Sequence, residues 1–259
     1  MLRDHPTGDY RYMPGISAFS CGTVAKPGHE IVHVTLTAPV PWRDGFARIE
    51  RHLRELKRPK TALCGIELRS PAPFTFDGFA GFNEGYRKLL TDWDILVGDD
   101  NPIPRTNVAP VAAAPSEPSL YAFSYTQPGA TPGPTFPGPT FPGPTFIVAG
   151  AGELRDRAQG PEGIVRHGDT SPDGMREKAR FVMAIMQDRL RTLGGDFRRV
   201  TAIDIYTAQP IHTLVLDEIL KPAGPAAIHG VHWYPSRPPI QGLDYEMDMR
   251  GVARELVLL

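Results

Sequence analysis

Between Gly129 and Phe146 the unit Gly-Pro-Thr-Phe occurs three times, beginning at Gly133, Gly138 and Gly143, at a period of five residues. That period excludes a collagen helix, which needs glycine at every third position. Proline at this density predicts an extended, semi-rigid connector, or a partner-binding segment that offers its Pro and Phe side chains. The chain therefore divides into residues 1–128, a linker over 129–145, and residues 146–259. At 259 residues, two units of ordinary domain size fit on either side.

The two flanks show a similar order of elements. Residues 1–30 are rich in Gly, Pro and Tyr and predict irregular structure with at most a short hairpin. Ile31–Ala38 is β-branched and roughly alternating, which predicts a strand. Asp44 is placed to cap a helix to about Lys57, with Phe46, Ile49, Leu53 and Leu56 on one face. A strand over Thr61–Leu68 and a helix from about Phe79 to Trp93 follow, then strands over Thr106–Val111 and Leu120–Tyr125. Beyond the linker, Phe146–Gly150 is strand-like and Arg155–Gly168 reads as a loop. Ser171-Pro172-Asp173 opens a helix whose Met175, Ala179, Val182, Met183, Met186, Leu190 and Leu193 fall at helical spacing, as core filling. Gly194-Gly195 ends it. Strands over Val200–Tyr206, Ile228–Tyr234 and Asp244–Val252 and a short helix over Ile211–Leu220 complete the pattern.

Composition excludes several classes. With 28 basic and 29 acidic side chains, the net charge of −1 gives no field that would gather nucleic acid or an anionic membrane. Two cysteines make no disulfide framework, no apolar run reaches the about 20 residues of a membrane span, and the N-terminus lacks a signal-peptide core, so a soluble cytoplasmic protein is expected. Gly150-Ala151-Gly152 lacks the third glycine and the helix of a dinucleotide loop. His229 and His232, read as one strand, point to opposite faces, and no other residue completes a metal pattern. Cys64 lies in an apolar strand as a small buried hydrophobe, and no serine nucleophile elbow appears.

Two residues stand out as chemical candidates. Pro102 and Pro104 fix the backbone just before Arg105, so its guanidinium leaves a pre-set corner: a carboxylate clamp, or an ordinary solvated arginine. By strand alternation Asp244, Glu246 and Asp248 share one face and Leu243, Tyr245, Met247 and Met249 the other. That face is either a polar exterior or a place for Glu246 as general acid/base.

Phe79-Ala-Gly-Phe-Asn-Glu-Gly-Tyr86, Pro104-Arg-Thr-Asn-Val-Ala109, Phe146-Ile-Val-Ala-Gly150, Gly194-Gly-Asp-Phe-Arg-Arg-Val-Thr-Ala-Ile-Asp-Ile-Tyr206 and Leu243-Asp-Tyr-Glu-Met-Asp248 together resemble segments of the RidA/YjgF family of enamine/imine deaminases. The resemblance implies an α+β fold of two tandem RidA-like (Bacillus chorismate mutase-like) units, each a mixed sheet packed on two helices. It also implies a threefold homo-oligomer with sites in clefts between units. Arg105 would pair with a substrate carboxylate and Glu246 would activate water. In the first half the glutamate position falls on Ala122, and in the second the arginine position falls near Ile228 or His229. Each half thus keeps one partner, and the expected site is composite.

The activity so implied is cofactor-independent hydrolytic deamination of a carboxylate-bearing enamine or imine, with an aminomuconate-type dicarboxylate of aromatic degradation as the specific substrate. Tyr86, Asn107, His229, Trp233 and Arg237 are the candidate substrate-binding residues, and Arg237 or Arg250 the candidate second cation. His229 or His232 standing in for the lost arginine is a further reading. The alternatives are a non-catalytic small-molecule-binding or assembly protein on the same fold, and a chorismate-type hydrolase or lyase. No metal is called for.

Overall fold

The structure is a computed structural model that describes residues 1–129, 143–155 and 160–259. Most of the repeat, 130–142, lies outside the described residues, as do 156–159 of the loop expected after Arg155. The chain forms strands β1 Arg3–Asp4, β2 Tyr10–Met13, β3 Gly22–Ala25 and β4 His29–Pro41, helix α1 Trp42–Glu55, β5 Leu63–Arg69, helix α2 Phe76–Asp92, β6 Arg105–Pro110 and β7 Ser119–Pro128. There follow β8 Phe146–Gly152, helix α3 Pro172–Thr192, β9 Ala202–Tyr206, a helical run from Val215 to His229, β10 His232–Tyr234, β11 Ser236–Arg237, β12 Glu246–Gly251 and β13 Arg254–Leu258.

These strands make two mixed sheets, in the orders β1-β2-β3-β8-β12-β9-β10 and β11-β6-β5-β7-β4-β13. Strands cross the linker in both directions. The N-terminal β1–β3 join the sheet of the second half through β3 and β8, while β11 and β13 close the two edges of the first sheet on β6 and β4. The fold is α+β, and each sheet carries helices on its outer face. Phe46, Ile49 and Leu53 of α1 and Tyr86 and Leu90 of α2 pack with Ile66, Leu68 and Phe123 of the first sheet. Met175, Ala179, Val182, Met183, Met186 and Leu190 of α3 pack with Val148, Ile203, Met247 and Met249 of the second. Burial of such apolar faces is the main source of stability here.

The inner faces of the two sheets meet through polar groups. Thr106 of β6 donates to Asp248 of β12 at 2.6 Å, and Thr23 of β3 donates to the carbonyl of Cys64 in β5 at 2.8 Å. The alternation around Glu246 therefore marks a buried inter-sheet layer instead of a polar exterior: Glu246 and Asp248 are both buried. Asp244 precedes the strand and belongs to a different environment, accepting from Lys178 of α3 at 2.6 Å.

Several local expectations need correction. α1 begins at Trp42 after Pro41 with no side-chain cap, and Asp44 sits inside its first turn, where an acidic group meets the positive helix end. Leu56 lies beyond the helix end and is exposed. α2 starts three residues earlier than the apolar spacing suggests, because Thr75 accepts from the Gly78 amide at 3.0 Å. Residues 1–30 hold three strands; short edge strands with Gly and Pro between them carry little periodic signal. The strand expected over Ile228–Tyr234 begins only at His232, since Gly224–His229 is a 3-10 helix. The helix over Ile211–Leu220 is a π-helix from Val215. Ser171 caps α3 as expected, accepting from the Gly174 amide at 3.2 Å. Cys64 is fully buried and burial pushes its thiol up, as suits a small core residue. Among the described residues no helix is long and apolar enough to cross a membrane.

Candidate active site

Arg105 opens β6 and pairs with Ile66 of β5 in parallel register. Its side chain turns to the helix side of the sheet and is 3% exposed. Nη2 donates to Asn83 Oδ1 of α2 at 2.6 Å, and the guanidinium carbon lies 4.7 Å from the ring centroid of Tyr86 and 5.1–5.4 Å from those of Phe19, Phe79 and Phe82. Four aromatic faces hold the cation by their quadrupoles and fix its plane. Nη1 is buried without a hydrogen-bond partner, and among the described residues no carboxylate lies within ion-pair distance of Arg105. Burial holds its pKa down to about 10. A buried guanidinium with an idle donor is an anion receptor in waiting.

Glu246 opens β12, one strand over from a β-bulge. Met247 pairs with Ala151 and Met249 with Val148, so two residues of β8, Ala149 and Gly150, stand opposite Asp248 alone. A bulge leaves backbone groups outside the ladder, and side chains take them up here. The Gly150 amide donates to Thr106 Oγ1 at 3.2 Å, and Arg189 Nη1 of α3 donates to the carbonyls of Ala149 and Gly150 at 2.9 and 3.3 Å. A Cβ at Gly150 would collide with Glu246 Oε1 and come within 3.0 Å of Thr106 Oγ1, so glycine is what lets the carboxyl lie against this backbone. Burial, reinforced by the charge of Glu153, raises Glu246 to about 8, although Arg189 and Arg105 pull it down. Arg105 and Glu246 thus act on each other electrostatically without touching.

A cleft of about 860 Å³ lies between α2 and α3. Its wall includes Phe19, Phe79 and Asn83, which contact Arg105; Gly150, against which Glu246 lies; and the cations Arg87 and Arg189. Of the expected site residues, Arg105, Glu246 and Tyr86 lie buried behind this wall and do not themselves line the cleft. Tyr86 is wholly buried and serves as the ring beside Arg105. Asn107 follows two residues after Arg105, accepts from Ser70 at 2.8 Å and leaves its Nδ2 unpartnered. His229, Trp233 and Arg237 do not line the cleft. His229 is exposed at the end of the 3-10 helix, Trp233 lies on the sheet edge donating to the Thr207 carbonyl at 3.0 Å, and Arg237 is exposed on the edge strand β11. Asn83, Gly150 and Arg189 were not singled out by their chemistry, although Asn83 lies in the Phe79–Tyr86 motif and the paired glycines at 150 and 152 drew notice.

Beside the site, Glu67, Asp204 and Asp248 bring carboxylate oxygens within 4.8 Å of one another. Arg250 donates to Asp204 at 2.5 Å, His33 and Glu67 are 2.9 Å apart, and Arg69 lies 3.5 Å from Glu67. These guanidinium groups already supply the charge a cation would bring. Burial raises Asp248 well above the usual range, with the charges of Asp204 and Glu67 adding to it. Burial would raise Glu67 too, but the bond with His33 and the nearby cations hold it at about 2. Arg250 is committed to this network and is not a free second cation.

The site thus holds a buried carboxyl raised to about 8 and a buried guanidinium with an open donor, both behind the wall of one cleft, the kind of perturbed pair that marks a candidate active site. The sequence model of the family described as 2-aminomuconate deaminase CnbZ matches residues 2–256. A 2-amino-5-chloromuconate deaminase of Comamonas testosteroni is 42% identical over 252 residues, spanning 97% of this chain and 96% of that protein. The chain belongs to this deaminase family and is an enzyme acting on a C–N bond. Among solved structures it is similar to a chorismatase, 16% identical over 90% of this chain and 77% of that one at a TM-score of 0.47. It is also similar to a putative endoribonuclease of Thermotoga maritima, 13% identical over 42% of this chain and 80% of that one at a TM-score of 0.30.

Proposed function

We propose that the protein hydrolyses an aminomuconate-type enamine dicarboxylate of aromatic degradation to the keto acid and ammonia, without a cofactor. The observation that carries this reading is that a buried Glu246, held up to about 8, and the open Nη1 of a buried Arg105 lie behind the wall of one cleft, each within the other's field. Arg105, braced by Asn83, binds the carboxylate next to the amino-bearing carbon. Protonated Glu246 gives its proton to the enamine carbon, forming the iminium ion and leaving Glu246 as carboxylate. As carboxylate it then takes a proton from the water that attacks the C=N carbon. The carbinolamine collapses as Glu246 gives that proton to the leaving amine and takes the proton of the carbinol hydroxyl while the C=O forms, so ammonia leaves and Glu246 ends protonated, as it began. Water enters once and ammonia leaves once, so the balance is enamine plus water to ketone plus ammonia. A pKa near the working pH suits both halves of this shuttle.

The same reading takes the two halves as tandem RidA-like units with boundaries near 128 and 146, in a threefold homo-oligomer in the cytoplasm, with a small carboxylate as the only partner. His229, exposed at the end of the 3-10 helix, and Trp233 and Arg237, exposed on sheet edges, would enter a site only where a second chain brings them to it. Light scattering that gave a monomer mass would remove that part.

The test is ammonia release from 2-aminomuconate and from 2-aminoacrylate, each generated in place. Acceleration of 2-aminomuconate, lost at least about 100-fold in Arg105→Ala and Glu246→Gln, supports the reading. No acceleration by the wild-type protein overturns it.

A further inference from the structure

We infer that Arg189 is the second carboxylate-binding residue of this site, which makes the cleft a receptor for a dicarboxylate with one acid group at Arg105 and the other at Arg189. This assignment rests on the deaminase reading above.

Three observations converge on it. First, Arg189 is pinned but not used up. Its Nη1 is fixed on the bulge carbonyls of Ala149 and Gly150, while Nε and Nη2 have no acceptor among the described residues, and the side chain lines the cleft. Among the described residues no carboxylate lies within ion-pair distance of it. A guanidinium held at one corner keeps its remaining donors in a fixed plane, so little freedom is lost when a carboxylate docks. Second, both cations are close enough to Glu246 to act on its charge, and they meet its surroundings from different elements. Arg189 of α3 holds the carbonyl of Gly150, the glycine against which Glu246 lies, while Arg105 of β6 sits behind Asn83, Phe79 and Phe19 of the same cleft wall. The acid–base group therefore has a cation in reach from each of two elements, which suits a substrate with acid groups at both ends.

Third, the other cations are less well placed. Arg250 is paired with Asp204 and Glu255, and Arg237 does not line the cleft. Arg87 and Arg155 do line it, but Arg87 Nη1 donates at the exposed rim to the Ser17 carbonyl, Arg155 is exposed with its Nη1 3.5 Å from the Gly163 carbonyl, and neither is among the main charges that act on Glu246.

The test reads binding without turnover. trans,trans-Muconate carries a carboxylate at each end of a conjugated chain, and sorbate carries one on a chain of the same length. Affinities of both for the wild-type protein, Arg189→Gln and Arg189→Lys are measured by calorimetry and as inhibition constants. The wild type is expected to prefer muconate to sorbate, and Arg189→Gln to lose about 10- to 100-fold in muconate affinity with sorbate affinity unchanged. A wild type with no preference, or a Gln variant in which both affinities fall together or neither falls, overturns the assignment. Should Arg189→Gln not fold, Arg189→Lys decides. It retains a donor for the bulge carbonyls but not the fork, so a reduced preference supports the role and an unchanged one removes it. A wild type that selects muconate through Arg189 yet releases no ammonia from 2-aminomuconate would overturn the deaminase reading alone.

Discussion

Replacing Glu246 by glutamine should abolish turnover and make the protein more stable, by an amount that grows with pH. The side chain is 4% exposed, and burial lifts its carboxyl from the ordinary 4.5 to about 8. Between those values the native state keeps a proton that the unfolded chain has already lost. The unfolded state therefore gains on the native one as pH rises, by about 1.4 kcal/mol for each pH unit. The loss begins near 4.5 and levels off once the native carboxyl ionises near 8, where it reaches about 5 kcal/mol. Glutamine keeps the shape of the protonated acid and has nothing to ionise. Urea unfolding of wild type and Glu246→Gln at pH 5, 6, 7 and 8 should show curves that diverge steadily, with the variant more stable throughout. A stability difference that stays flat across that range would refute the buried, proton-holding state assigned to Glu246, and with it the acid half of the proposed shuttle.

Two other perturbations follow from the same region. Gly150→Ala puts a methyl group where Glu246 Oε1 lies, so kcat should fall about 10- to 100-fold with the fold retained; steady-state kinetics with an unchanged kcat would show that the carboxyl is not held against this backbone. Lys178, wholly buried, donates to Glu153 at 3.1 Å and to Asp244 at 2.6 Å. Lys178→Met strands a buried carboxylate and should cost about 3–5 kcal/mol, read as a fall of about 10 °C in Tm, and a shift under about 2 °C would count against the pair.

The central strands and helices were legible because each buries one face of a regular period. Phe46, Ile49 and Leu53, and the methionines of α3, announce their packing in the sequence. The residues from 1 to 30 did not, since β1–β3 are short and reach the sheet only through the pairing of β3 with β8, more than a hundred positions away. Arg105 and Glu246 were readable only as parts of motifs. Periodicity set Glu246 on a polar face and could not tell an outer surface from the layer between two sheets. Arg189 and Lys178 both look like ordinary charged positions of an amphipathic helix. What separates them is tertiary: the first meets the carbonyls of a bulge, the second a buried acid, Glu153, and a half-buried one, Asp244. Gly150 was visible as a glycine beside a strand end, a mark of close approach, but the approaching group is Glu246 and not a phosphate.

The exchange of strands between the two sheets reaches into biosynthesis. A ribosome completes α1, α2 and the inner strands β4–β7 well before Ser236–Arg237 and Arg254–Leu258 exist. Until then β6 and β4 are open edges, the kind of surface on which nascent chains stick to one another. The same sharing protects the finished protein. If a protease cut the backbone between residues 129 and 143, each fragment would still hold strands that complete the other's sheet, so the pieces would stay clasped and the chain would behave as a natural split protein.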